Sequence, residues 1–192
     1  MQPNLFFTAA LRAASFKIKY AVSISVAAAA LFTSQTAFAD DLTVQSRAAL
    51  HQLVANNPAA AGVFSEARAV LVFPNVVKAG FIVGAQGGEG VLFVHGKPAA
   101  HYRTTAASYG LQAGVQKYGY ALFFMDQKAV DWVNTTRGWE IGTGPSIVVV
   151  DKGMARSLTT STMHSGIYAF TFDQKGLMAG MGIQGSKIKR LN

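Results

Sequence analysis

Side chains able to do chemistry are few in this chain and stand far apart. Its 192 residues hold four histidines (His51, His95, His101 and His164), nine carboxylates and no cysteine. His95 and His101 flank Gly96-Lys97-Pro98 and could face each other across a hairpin. Without a nearby carboxylate they make a poor metal site, and exposed hairpin histidines are the plainer reading. Among Asp40, Asp41, Glu66, Glu89, Asp126, Asp131, Glu140, Asp151 and Asp173, only the first two form a close pair. A glycosidase-type dyad would have to be assembled by the fold. Neither G-x-S-x-G nor H-E-x-x-H occurs, so the signatures of a nucleophile elbow and of a zinc protease are missing. Residues 84–90 are glycine-rich but lack the Lys-Ser/Thr of a P-loop, and they read as a hairpin turn. A chain without cysteine has no disulfide, thiolate metal site or cysteine nucleophile. The expectation is a non-enzyme with no catalytic residues, no metal and no cofactor.

The basic residues say more. There are 17 Lys+Arg against nine Asp+Glu, a net charge of +8. Lys187, Lys189 and Arg190 close the chain, and in an extended segment Lys187 and Lys189 share one side. Lys78, Lys97, Arg103 and Lys117 fall near the ends of expected strands. Such a surface suits anionic lipid headgroups or glycans; scattered solubilising charge is the plainer alternative. Nucleic acid is disfavoured, because no nucleic-acid-binding motif is present.

Residues 1–39 read as a secretory signal peptide. Arg12, Lys17 and Lys19 make a positive start, Tyr20–Phe32 is an apolar run, and Ala37-Phe38-Ala39 is an A-x-A cleavage pattern. The run has 13 residues, short of the ~20 that a membrane span needs. Three of the 17 basic residues precede position 40, which leaves 14 against nine carboxylates, or +5, for residues 40–192. That segment is expected to be one exported domain, periplasmic, peripheral to the cell envelope or secreted, and large enough for a packed core.

Periodicity then places the elements. Leu42, Ser46, Ala49, Leu50 and Leu53 share a helix face. Asn56-Asn57-Pro58 ends that helix, and a second short one follows over 59–67. From residue 69 onward the texture is of strands: 70–73, 78–85, 91–95, 100–104, 109–116, 118–125, 141–150, 167–172 and 177–184. One inserted helix is expected after Asp126, its N-cap, with Ala129, Val130 and Val133 facing inward. Turn signals stand at Phe73-Pro74-Asn75, Gly87-Gly88-Glu89-Gly90, Gly96-Lys97-Pro98, Asp151-Lys152-Gly153 and Asp173-Gln174-Lys175-Gly176. Four segments have the form Gly, large apolar, two residues, Gly, starting at Gly80, Gly110, Gly138 and Gly176. Within a strand both glycines would lie on one face and allow coiling or close approach. The fold class expected is α+β: a coiled antiparallel sheet or barrel-like core of Gly-x-x-x-Gly strands, packed with N-terminal helices and one inserted helix. An outer-membrane barrel fits less well, since 91–94, 121–125 and 147–150 are apolar on both faces rather than alternating.

Several of these blocks together resemble the SYLF domain. They are Ala69-Val-Leu-Val-Phe-Pro-Asn-Val-Val-Lys-Ala-Gly80 with Gly88-Glu-Gly-Val-Leu92, and Ser108-Tyr-Gly-Leu-Gln-Ala-Gly114. Further along come Gly138-Trp-Glu-Ile-Gly-Thr-Gly-Pro-Ser146 and Gln174-Lys-Gly-Leu-Met-Ala-Gly180, then Gln184-Gly-Ser-Lys187. The resemblance covers roughly 45–192. It implies binding of anionic phospholipid, phosphoinositides in eukaryotic members, and in some of those binding or bundling of actin. The basic amphipathic helix that precedes the domain in eukaryotic members has a leader in its place here. The part that transfers is affinity for acidic lipid, with no cofactor and no nucleic acid. Lys78, Arg103, Lys117, Lys187, Lys189 and Arg190 are the expected lipid-binding residues, with Phe81, Tyr102, Tyr109 and Tyr118 along acyl or headgroup regions. The alternative is an envelope scaffold that binds a protein, an actin-like one by family analogy, or a glycan.

Overall fold

The computed structural model describes residues 40–109, 114–136, 138–141, 145–150, 166–176, 183 and 185–191, with the main chain alone at 108–109 and 174–176. The chain divides into two units, Met1–Asp41 and Leu42–Asn192, and the sheet belongs to the second.

Helix α1 covers residues 40–56. Ser46, Ala49, Leu50 and Leu53 are its buried positions, the stripe that their 3.6-residue spacing demands. Asn57 both ends α1 and caps the next helix. Its Oδ1 accepts the Ala60 N–H at 3.1 Å, and Pro58 opens α2 (Pro58–Glu66), where a missing N–H costs nothing.

Eight strands follow among the described residues: β1 (Ala69–Gly80), β2 (Val83–Val94), β3 (Lys97–Tyr109), β4 (Gly114–Phe124), β5 (Trp139–Glu140), β6 (Ile147–Val149), β7 (Ile167–Gly176) and β8 (Lys187–Arg190). Helix α3 (Gln127–Thr135) stands between β4 and β5, capped by Asp126 as expected. The strands form one curled sheet in the order β5-β8-β3-β2-β1-β4-β7-β6. All neighbours are antiparallel except β6 and β7. The class is α+β, as the sequence indicates.

Both sheet faces are buried at one end. Leu71, Phe73, Tyr120 and Leu122 point to the face covered by Ala129, Val130 and Val133 of α3. Val70, Val72, Ala121 and Phe123 point to the face covered by Leu50 and Leu53 of α1 and Val63 of α2. Strands covered on both sides read as continuous apolar runs, which accounts for 91–94 and 121–125. Each large side chain buried this way contributes about 1.5–3 kcal/mol.

The pairing corrects several expectations. The segment 78–85 is not one strand: Gly80 pairs with Gly84 across the β1–β2 turn. The two glycines of that first copy face each other, and a Cβ on Gly80 would collide with the Gly84 Cα. They serve the turn, not a strand face. Gly87–Gly90, expected as a turn, lies inside β2: Gly87, Gly88 and Glu89 pair with both β1 and β3, and Gly90 with Tyr102 of β3. The reason is Pro74, which has no N–H to give the ladder; β1 shifts register around it, between Val72 and Asn75 on one side and Phe73 and Val76 on the other. Opposite this bulge the backbones crowd. A Cβ on Gly88 would meet the Asn75 carbonyl at 2.5 Å, and one on Gly90 would run into the Val72 carbonyl. The β2–β3 turn is His95-Gly96, with φ of 49° and 75°, so Lys97 and Pro98 already belong to β3. The residues from Asp173 to Gly176 continue β7 through a bulge instead of turning. Among its described residues, the segment 141–150 gives the three-residue β6. The Gly110, Gly138 and Gly176 copies, the Asp151-Lys152-Gly153 turn and the strand at 177–184 fall wholly or partly outside the described residues.

Candidate functional site

Reading the pairing registers across the strands gives rows. The row at the β1–β2 turn is Ser108, Gly84, Gly80 and Gly114. Next comes Ala107, Ala85, Ala79 and Val115. Two rows further back stand Lys187, Thr105, Gly87, Val77 and Lys117. Two more give Lys189, Arg103, Glu89 and Asn75. Strand side chains alternate, so these last three rows share one face. It is the face that α1 and α2 cover at the far end of the sheet. Their cover stops at Asn75, whose Nδ2 donates to Gln45 Oε1 of α1 at 3.0 Å. Beyond that bond Val77, Ala79, Ala85, Arg103, Thr105, Ala107, Val115, Lys117, Lys187 and Lys189 are all exposed. This open face is the candidate site.

The six expected lipid-binding residues separate on it. Arg103, Lys187 and Lys189 meet on adjacent strands, Arg103 directly opposite Lys189 and Thr105 opposite Lys187. Arg190 does not share that face: it pairs with Tyr102, on the side of buried Ile188, and only borders the cleft of about 280 Å³ that Arg103, Thr105, Lys189, Arg190 and Leu191 line at the sheet margin. A second cleft, of about 440 Å³, lies on the other side of β8 along Gly138, Trp139, Glu140, Lys187 and Lys189. Lys117 shares a row with Lys187 but stands four strands away, about 19 Å. Lys78 does not join the group. It lies on the opposite face, between Gln86 and Gln116, both buried.

Two carboxylates share the open face. Glu140 pairs with Lys187 in the β5–β8 ladder. Arg103 donates to Glu89 Oε1 through Nη2 at 2.5 Å and Nε at 3.2 Å. Both side chains are about half exposed, so the pair contributes less than about 1 kcal/mol. It fixes the guanidinium beside the cleft without removing it from solvent.

The tyrosines behave differently from their expected role. Tyr102 and Tyr118 are buried in the core rather than available to lipid. The Tyr118 hydroxyl donates to Gln86 Oε1 at 3.0 Å, and Gln86 Nε2 donates to Ser186 Oγ at 2.9 Å. Tyr120 donates to Thr104 Oγ1 at 2.7 Å, and Tyr102 to the Val133 carbonyl at 3.2 Å. Burial pushes all three hydroxyls up, Tyr118 to about 12. Phe81 is exposed, and the Tyr109 side chain lies outside the described residues.

His95 and His101 do not face each other: His95 is in the turn, and His101 pairs with Val91. Among the described residues no three of His, Cys, Asp or Glu gather as metal ligands. None of the helices there is long and apolar enough to cross a membrane. Sequence reasoning missed Thr105 and Glu89 beside the cleft, and Ile82, Val83 and Val115 near the turn. The signal for Ile82 and Val83 was present, an apolar triplet with Phe81 between Gly80 and Gly84, but it reads equally well as a strand interior.

Residues 105–192 match the Ysc84 family model, described as "Las17-binding protein actin regulator". That span contains β4 to β8, α3 and four of the six expected basic residues, Lys117, Lys187, Lys189 and Arg190; Lys78 and Arg103 precede it. No curated protein matches the chain.

Proposed function

From the place of residues 105–192 in the SYLF family, we propose that the open sheet face binds the headgroups of anionic phospholipid or glycolipid at an envelope membrane surface, without catalysis. The observation that carries this reading is the cationic group of Arg103, Lys187 and Lys189 on the open face, beside a cleft that Arg190 borders from the end of β8. Guanidinium forks match phosphate oxygens in pairs, and ammonium groups add point charge. An exposed sheet face can meet a membrane surface without rearrangement. The leader-like residues 1–39 and the +5 charge of the rest support an exported protein working beside acidic lipid. The family description speaks of Las17 binding and actin regulation. A protein partner on the same face is the competing reading.

Co-sedimentation of the purified protein with vesicles tests the proposal. Binding should be strong to equal parts phosphatidylglycerol and phosphatidylcholine, weak to phosphatidylcholine alone, and should fall as salt rises. The triple variant Lys187→Gln, Lys189→Gln, Arg190→Gln should lose about 3 kcal/mol, near 1 kcal/mol per cation. Lys97→Gln with Lys128→Gln removes charge from exposed positions away from the cleft and should matter little. Equal, salt-insensitive binding to both vesicle types would falsify the anionic-headgroup reading, and binding to neither would favour a protein partner.

A further inference from the structure

Seven large apolar side chains are exposed among the described residues, and five of them gather at one end of the sheet. Phe81 is 70% exposed, Ile82 56%, Val83 57%, Val115 59% and Val77 38%; the other two, Val44 and Phe64, are on helices. Phe81-Ile82-Val83 spans the β1–β2 turn, between the paired Gly80 and Gly84. Val115 and Ala79 are partners in the row just behind, and Val77 lies two rows further back. A contiguous apolar end on an otherwise charged surface marks an interaction site.

Charge tells what that site meets. No carboxylate occurs in 74–88 or in 104–125, the segments that build this end of β1, β2, β3 and β4. Two cations stand at one depth, with Arg103 and Lys189 two rows further back and Glu140 of β5 beside Lys187. Lys117 and Lys187 occupy the row of Val77, three residues behind the Gly80–Gly84 row. At about 3.3 Å per residue that is about 10 Å. An amphipathic helix lying in a bilayer interface buries its apolar face about 5–10 Å into the headgroup/acyl boundary. The spacing between apolar tip and lysine row is of that order, so the tip can be buried while the lysines stay at the surface.

We infer that Phe81, Ile82 and Val83 enter the acyl region of an anionic bilayer, end first, while Lys117 and Lys187 contact lipid phosphates. The inference rests on the anionic-lipid reading above and adds the element that penetrates and the orientation of the sheet. A strand end is well suited to penetration. The turn is held by β1–β2 pairing and flanked by β3 and β4, so insertion orders little that was free.

The chain has no cysteine, so Ile82→Cys carries a polarity-sensitive fluorophore at one position, and Gln52→Cys carries it on the exposed side of α1. With phosphatidylglycerol–phosphatidylcholine vesicles, the label at position 82 should shift to the blue and be quenched by acyl-chain nitroxide lipid. The label at position 52 should do neither. In unlabelled protein, Phe81→Ser with Ile82→Ser should weaken vesicle binding roughly tenfold or more and abolish the part that resists high salt, with an unchanged melting temperature. If the wild type binds the vesicles but the label at 82 stays in water, the turn does not penetrate and this inference fails alone. If the wild type binds no anionic vesicle, the lipid reading fails and takes the inference with it. A concentration-dependent dimer without lipid, abolished by the double Ser variant, would make the tip a contact between copies and overturn the proposal.

Discussion

Asp126 ties two parts of the fold through one carboxylate. Its Oδ1 accepts the Ala129 N–H at 2.8 Å in the first turn of α3, and its Oδ2 accepts the Gly166 N–H at 3.0 Å just before β7. The bond from Gly166, then that from Ala129, holds the carboxyl below its usual range. A folded value below the unfolded one means that the ionised form stabilises the fold. That contribution is complete above the ordinary Asp range and is lost as pH falls through the folded value. Asp126→Ala should cost about 1 kcal/mol at neutral pH, a typical loss for an N-cap. Asp126→Asn keeps an acceptor for Ala129 but carries no charge. Its stability deficit against the wild type, read from urea melts, should be constant near neutrality and shrink below about pH 4. A deficit that grows in acid would show that the carboxylate is not the stabilising form.

At the scale of elements, β2 depends on glycine where β1 bulges. Gly90→Ala drives a methyl group into the Val72 carbonyl and to 2.6 Å from the Phe73 ring, inside the sheet's centre. The expected loss is about 1–3 kcal/mol, as for overpacking, visible as a lower urea midpoint with an unchanged slope. A wild-type midpoint would mean that the bulge relaxes freely. This same place shows what the sequence carried and what it hid. The helices were legible because a buried stripe repeats on every turn: Ser46, Ala49, Leu50 and Leu53 in α1, and Ala129, Val130 and Val133 in α3. The two-sided runs in β1, β2 and β4 were legible as strands. Turns were not, because Gly and Pro mark any place where backbones come close. Here Pro74 and Gly88–Gly90 make a bulge inside two paired strands, while the true β1–β2 turn carries Phe81 and Ile82, residues of strand type. The candidate site was half legible. Basic residues could be counted, but only the register shows that Arg103 faces Lys189 and that Lys78 points away from both.

For the molecule as a whole, charge and export make joint predictions. If residues 1–39 are a cleaved leader, N-terminal sequencing of exported protein should begin at Asp40; a start at Met1 would exclude cleavage there. Reversing charge at the cleft, Lys189→Glu with Arg190→Glu, should abolish binding to phosphatidylglycerol vesicles more completely than the Gln changes do, because like charges then face each other. Persistence of binding would move the contact away from β8. Proteins gathered on a bilayer are crowded into two dimensions, and a sheet with a long bare margin would there recruit further strands from its neighbours. Among the described residues the outermost strands of this sheet are β5, two residues long, and β6, three residues long. Such short outermost strands offer few N–H and C=O groups of their own for an incoming strand to template on.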